Sequence, residues 1–143
     1  MEKTVKVLFV TQKEAPKVID LKDDLKSLQT IVGGQIEIVH PFADSNIGIL
    51  CNEEGKFNGS YPNRILWYKD MHPDLYNPDN SEIFDVIYGD FCIFQEDDEC
   101  EFVDIETDKI EKYTKLFESR DYVKEHYVYS VEALLLLSED KDA

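Results

Sequence analysis

Cysteine is scarce in this chain. Cys51, Cys92 and Cys100 are the only three. An odd count without a Cys-x-x-Cys pair argues against a disulfide framework, so the thiols are expected to be reduced. Cys51 and Cys92 fall in apolar strand patterns and read as small hydrophobes. Histidine is equally sparse. His40, His72 and His126 lie far apart with no companion at metal-ligand spacing, so no structural zinc and no other cofactor is expected. Basic residues are few as well. Fifteen Lys and Arg face 31 Asp and Glu, for a net charge of −16, and fourteen carboxylates from Asp70 to Asp108 are interrupted by no Lys or Arg. Such a surface repels DNA, RNA and anionic membranes. It either keeps the protein dispersed or attracts a basic partner. No segment approaches the ~20 apolar residues of a membrane span, and Met1-Glu-Lys-Thr-Val5 is not a signal sequence, so a cytoplasmic setting is expected.

Catalytic patterns are also missing. There is no readable Ser-His-Asp or Cys-His arrangement, no Gly-rich phosphate loop and no metal motif. Glu96-Asp-Asp-Glu99 lacks the alternating ligands and central Gly of a calcium loop, and reads as a solvated turn. Glu53 and Glu54 could act as acid or base only inside a pocket. Adjacent turn residues diverge, which makes them a poor pair, and a hydrolase with Glu54 as its base is the weakest reading.

What is present suffices for a fold. The chain of 143 residues is 43% hydrophobic and 12% aromatic, enough for a single domain over 1–143 with its own core. Val5–Val10 and Val18–Leu21 read as strands joined by a turn at Gln12–Pro16. Leu21, Leu25, Leu28 and Val32 recur at helical spacing, with Asp20 or Asp23 as cap and Gly33-Gly34 as terminator. Gln35–Val39 and Ile47–Cys51 are further strands, and Ile65–Tyr68 is a short apolar piece. Residues 69–82 read as an excursion loop. Ile83–Gln95 is an apolar run with a bend expected at Gly89, followed by a short strand Glu101–Asp104. Thr107 is read as the cap of a helix whose Ile110, Tyr113 and Phe117 share a face, with Glu111 and Lys115 as an i,i+4 pair. The fold class is therefore α+β: a mixed or antiparallel sheet of five to six strands with two to three packed helices. Four consecutive leucines, Leu134–Leu137, cover every face of a helical turn, and predict self-association into a homo-oligomer.

Polar chemistry concentrates in Cys51-Asn-Glu-Glu-Gly-Lys-Phe-Asn-Gly-Ser-Tyr-Pro-Asn-Arg64. A turn-rich segment leaving a buried strand is well placed to aim side chains. Asn52, Asn58 and Asn63 offer donors and acceptors, Glu54 a carboxylate, and Arg64 a planar fork for phosphate or carboxylate. Phe57, Tyr61 and Trp67 can stack on a flat base. The plain alternative is that Asn and Gly shape turns, Arg64 pairs locally and the aromatics are core.

This stretch, with Leu28-Gln-Thr-Ile-Val-Gly-Gly-Gln-Ile-Glu37 and Glu82-Ile-Phe-Asp-Val-Ile-Tyr-Gly-Asp-Phe-Cys-Ile-Phe94, resembles the small bacterial and phage family called domain of unknown function 3846. The resemblance covers about residues 4–118 and includes Asp108–Glu118 as the closing helix. The loop from Lys69 to Ser81 is longer than the family pattern, and about 120–143 is an extension. The resemblance implies an accessory protein of phages and mobile elements, in a setting of phage–host conflict, and brings no catalytic residues.

Two expectations follow. The first is a non-enzymatic counter-defence protein that sequesters a small nucleotide-like ligand, such as ADP-ribose or a cyclic nucleotide. Arg64 would hold phosphate, Asn52, Asn58 and Asn63 ribose or base edges, and Tyr61 or Phe57 would stack. The second is an acidic mimic of nucleic acid that blocks a basic host protein. The first needs a concave pocket containing Arg64; the second needs a ribbon of carboxylates on an exposed face.

Overall fold

Strand β1 (Thr4–Val10) buries Val5, Val7, Leu8 and Val10, so both of its faces are covered. It is central for that reason. The computed structural model of the protein describes residues 3–54, 62–71 and 83–118, with backbone alone at 68, 69, 83 and 84. Phe57, Asn58, Tyr61, Leu134–Leu137 and the extension from about 120 lie outside the described residues.

The main sheet runs β2-β1-β7-β4-β3, built from β2 (Lys17–Lys22), β7 (Phe91–Glu96), β4 (Ile47–Asn52) and β3 (Ile36–Val39) around β1. Every pairing is antiparallel, and a sixth strand, β8 (Phe102–Val103), pairs with the end of β7. A second, two-stranded antiparallel sheet joins β5 (Pro62–Trp67) to β6 (Ile83–Tyr88). The helices are α1 (Leu25–Val32), α2 (Tyr68–Met71) and α3 (Thr107–Phe117). The fold is α+β, with an antiparallel main sheet.

Strand alternation sorts the core into two clusters. On one face Val5, Val7, Leu21, Leu50, Cys92 and Phe94 pack against Leu28 and Val32 of α1. On the other, Leu8, Val10, Ile47, Ile49, Phe91 and Ile93 meet Leu66 of β5, Met71 of α2, Ile87 of β6, and Tyr113 and Phe117 of α3. The layers are thus α1, the main sheet, and then the small sheet with α3.

Several boundaries differ from the sequence expectation. Leu21 belongs to β2, and α1 starts at Leu25. Its cap is Asp24, whose extended backbone (φ −137°, ψ 154°) brings the carboxylate to the Ser27 N–H at 2.7 Å; Asp20 and Asp23 do not cap it. Gly33 ends α1 in the left-handed region at φ 77°, as Gly permits. Thr107 is the first residue of α3, and Glu106 takes the cap position without a side-chain bond. The Glu106 N–H is satisfied instead by Gln95 Oε1 at 3.0 Å. Tyr68 opens α2 and does not continue the strand. The apolar run Ile83–Gln95 is two strands in two sheets, and Gly89 at φ 76° makes the step between them.

Candidate functional site

The segment that sequence reasoning singled out does not converge on one site among the described residues. The register of β5 shifts between Pro62 and Arg64. Such a bulge breaks the alternation of faces, and so Asn63 and its neighbour Arg64 are both buried, at 0% and 2% exposure. Asn63 Nδ2 donates to Val10 O and Gly89 O, each at 2.9 Å. Arg64 Nε donates to Phe117 O at 2.9 Å and Nη2 to Glu14 O at 3.0 Å. Its Nη1 donates to Thr11 O, Asn63 O and Asn63 Oδ1. The guanidinium therefore ties the β1–β2 turn, the small sheet and the last carbonyl of α3 together. A cation at a helix C-terminus also suits the negative end of the helix dipole.

Asn52 and Glu54 sit on a different support. Asn52 Nδ2 donates to Val32 O at 3.1 Å, and its Oδ1 accepts from the Glu54 N–H at 2.8 Å. Asn52 thus closes the end of α1 and shapes the turn after β4. A Cβ on Gly34 would lie 2.8 Å from Asn52 Nδ2, so this close approach requires glycine. Glu54 is exposed, and Trp67 is half-buried at the end of β5. Among the described residues, Asn52 and Glu54 share no hydrogen-bond partner with Asn63 and Arg64.

A cleft of about 540 Å³ opens elsewhere, between the turn after β3 and α3. Phe42 and Ala43 line it from the turn, and Tyr113 and Leu116 from α3. Lys112 and Lys115 add two cations, and Asp70 of α2 a carboxylate. Arg64 is not among the lining residues. The aromatic wall is fixed, since the Phe42 and Tyr113 rings pack at 4.6 Å between centroids.

Asp44 organises the helical wall. It accepts from the Tyr113 hydroxyl at 2.6 Å and from Lys112 Nζ at 2.9 Å, and pairs with Lys109 Nζ at 3.1 Å. The Tyr113 hydroxyl and the lysine ammonium groups hold the Asp44 carboxyl well below the usual carboxylate range. Burial, and then Asp44 itself, push the Tyr113 phenol up, so it stays protonated as a donor. The expected Glu111–Lys115 pair is not among the ion pairs of the described residues, and Lys115 takes part in none of them.

The acidic run is largely at the surface where it is described. Asp97, Asp98, Glu99 and Glu101 are exposed on the β7–β8 turn, followed by exposed Asp104, Glu106 and Asp108. Asp97 Oδ1 accepts from the Glu99 and Glu101 N–H groups at 2.9 and 3.0 Å, which fixes the turn.

Sequence reasoning missed Phe42, Asp44, Lys112, Tyr113 and Lys115 as possible site residues. One signal was available: Lys109, Lys112 and Lys115 are the only cations between Asp70 and Glu118, spaced three apart on one helix.

The architecture is that of a small α+β domain with a buried arginine clasp and a lysine-walled cleft. The family model described as domain of unknown function (DUF3846) matches residues 5–118, and the chain belongs to this family. The match closes at Glu118, one residue beyond the carbonyl that receives Arg64. Comparisons with curated proteins and with solved structures return no match. Among the described residues, no helix is long and apolar enough to cross a membrane.

Proposed function

We propose that the protein is a non-catalytic accessory protein of the phage counter-defence kind, which binds and sequesters a small nucleotide-derived molecule. The observation that carries this reading is the cleft beside α3. Its volume of about 540 Å³ falls within the ~300–1,000 Å³ usual for small-molecule sites. It combines an aromatic wall with lysines in a chain of net charge −16. Phe42 and Tyr113, buried at 7% and 1% exposure, back the cleft with apolar surface, and ammonium groups suit a phosphate. Lysine in such a site serves as a point charge for the anion.

This reading moves the phosphate contact from Arg64 to the cleft. Arg64 acts indirectly, by fixing the end of the helix that forms the wall. Phe57, Asn58 and Tyr61 remain candidates for stacking and polar contacts, and self-association through Leu134–Leu137 belongs to the same proposal. Binding without chemistry also fits Glu54, which stands exposed on a turn.

Calorimetric titration of the full chain against AMP, ADP-ribose, a cyclic mononucleotide and a cyclic dinucleotide tests the reading. The expected result is saturable binding of at least one of them, with a Kd of about 10 μM or tighter, and recovery of that ligand unchanged. Flat titrations across the panel with a cooperatively folding protein would overturn it.

A further inference from the structure

Among the described residues, the main sheet ends at β2 on one side and β3 on the other, and the two edges differ in charge. The Asp23 N–H donates to Lys3 O at 2.9 Å, which sets the phase of the β1–β2 ladder. Antiparallel pairs alternate, so Lys17, Ile19 and Leu21 turn their backbone groups toward β1, while Val18 and Asp20 turn theirs outward. Those outward groups have no backbone partner among the described residues. Val18 is also an apolar side chain left 42% exposed. At the far edge the Glu53 N–H donates to Gln35 O at 2.8 Å. By the same alternation Ile36 and Ile38 of β3 face outward there, and Ile38 is 41% exposed. Between Lys3 and Lys26, six lysines stand against Glu14, Asp20, Asp23 and Asp24, in a chain of net charge −16. Several of these charges offset one another: Lys17 pairs with Glu14 at 3.5 Å, Lys6 with Asp20 at 3.0 Å and Lys3 with Asp23 at 3.6 Å. The β3 edge instead carries exposed Glu37, with exposed Glu53 and Glu54 just beyond its partner strand. Pairing β3 with its own copy brings like charges together, which is unfavourable. The β2 edge admits a second copy without that penalty.

We propose that β2 is a self-association edge, across which two copies of this chain pair β2 with β2 antiparallel about a two-fold axis and join their main sheets into one. Antiparallel pairing maps an edge onto itself, as an isologous interface requires. Centred on Val18, it sets Val18 against its counterpart, places Lys17 beside Ile19, and keeps the two Asp20 carboxylates apart. Each Val18 N–H then donates to the Val18 carbonyl of the other copy, and two exposed apolar side chains leave water. The pair is closed: it uses the β2 edge of both copies and leaves the acidic β3 edges outward, where charge guards them against further pairing. This contact is separate from the cleft and from Leu134–Leu137.

Sedimentation velocity of the full chain without ligand, at concentrations from about 1 μM to about 300 μM, tests the proposal. The expected result is a reversible monomer–dimer equilibrium with a Kd of about 10–100 μM, as suits an interface at the small end of the size range. Val18→Lys sets two cations against each other at the two-fold axis and should weaken the dimer by about tenfold or more. Val18→Pro removes an N–H that points out of the sheet, so the β1–β2 ladder keeps its bonds while the dimer loses two. It should weaken the dimer to a similar degree. Val18 is exposed, and thermal melts close to wild type establish that both variants are folded. Ile38→Lys on the β3 edge should leave the equilibrium unchanged. A wild type that stays monomeric over the whole range overturns the proposal, and so does a dimer that persists in both Val18 variants. A dimer weakened by Ile38→Lys or Leu135→Glu and unaffected at Val18 lies elsewhere on the molecule, which also overturns it. Nucleotide titrations are read separately, so failure here leaves the sequestration reading standing.

Discussion

A single guanidinium carries five N–H donors in a rigid fork, and among the described residues Arg64 donates to four backbone carbonyls and one amide oxygen. Removing it would leave the buried Phe117 carbonyl and the half-buried bonds at Thr11 and Glu14 without that donor, and a buried acceptor left unsatisfied costs about 1–3 kcal/mol. Arg64→Ala is expected to destabilise the protein by roughly 3 kcal/mol or more, read from denaturant unfolding. Arg64→Lys should recover only part of this, because one ammonium cannot reach three separate chain segments. An Arg64→Ala variant of unchanged stability would remove the clasp from the account of this fold. The sequence drew attention to Arg64 for the right residue type and misplaced its partners. Arginine is rarely fully buried, and the bulge that turns it inward depends on the Pro62–Tyr88 register, which a single strand pattern does not encode. Asn52 shows the reverse case. Its position after an apolar strand was legible, while its bond to Val32 O depends on how α1 ends against β4.

Among the elements, α3 is the one on which the fold and the cleft both depend. Its apolar face was legible, since Ile110, Tyr113 and Phe117 fall at helical spacing, and Tyr113 and Phe117 are buried as that spacing requires. Its polar attachment was not, because Asp44 lies 68 residues before Lys112 and 69 before Tyr113. Nothing local marks that pairing. The attachment has a pH dependence of definite sign. The Asp44 carboxyl is held below its ordinary value in the folded protein, so its contribution is complete above the unfolded value of about 3.9 and is lost as pH falls below it. The melting temperature of wild type should therefore drop as pH is lowered from about 5 to about 2, and the drop should be shallower in Asp44→Asn, which starts lower and has less to lose. Equal slopes in the two proteins would show that Asp44 is not the linked group. The β4 strand illustrates a tighter constraint: a Cβ on Gly48 would lie 2.5 Å from Phe94 Cζ and 3.2 Å from His40 Cδ2. The composition of the strand predicted its apolar character, but not that an aromatic ring from β7 would occupy this position.

For the whole molecule, 31 acids against 15 bases set the electrostatic background. Self-repulsion at a net charge of −16 opposes compaction, and dissolved salt screens it. The melting temperature at pH 7 is expected to rise as sodium chloride is raised from about 20 mM to about 300 mM, as followed by circular dichroism. A falling value would mean that attractive pairs such as those around Asp44 outweigh the repulsion. The α+β class and most strands were legible in the alternation of residues, whereas the order of strands was not. Strands β6 and β7 share one apolar run, yet β6 pairs with β5 in the small sheet and β7 lies between β1 and β4 in the main one. The decision is made at Gly89 and by partners distant in sequence. The cleft inherits that limitation, as its lining comes from the β3–β4 turn, α2 and α3, which are distant in sequence.

The Arg64 clasp also orders the assembly of the chain in time. Its carbonyl partners Thr11, Glu14 and Phe117 lie 53, 50 and 53 residues away, and contacts of such long separation follow the closure of the loops between them. Until the β1–β2 hairpin, the β5 strand and the end of α3 have all arrived, the guanidinium is better solvated by water than by the protein. Its enclosure is therefore expected late in folding, and a chain with one of these segments misplaced retains a hydrated cation where the native protein has a buried, hydrogen-bonded one.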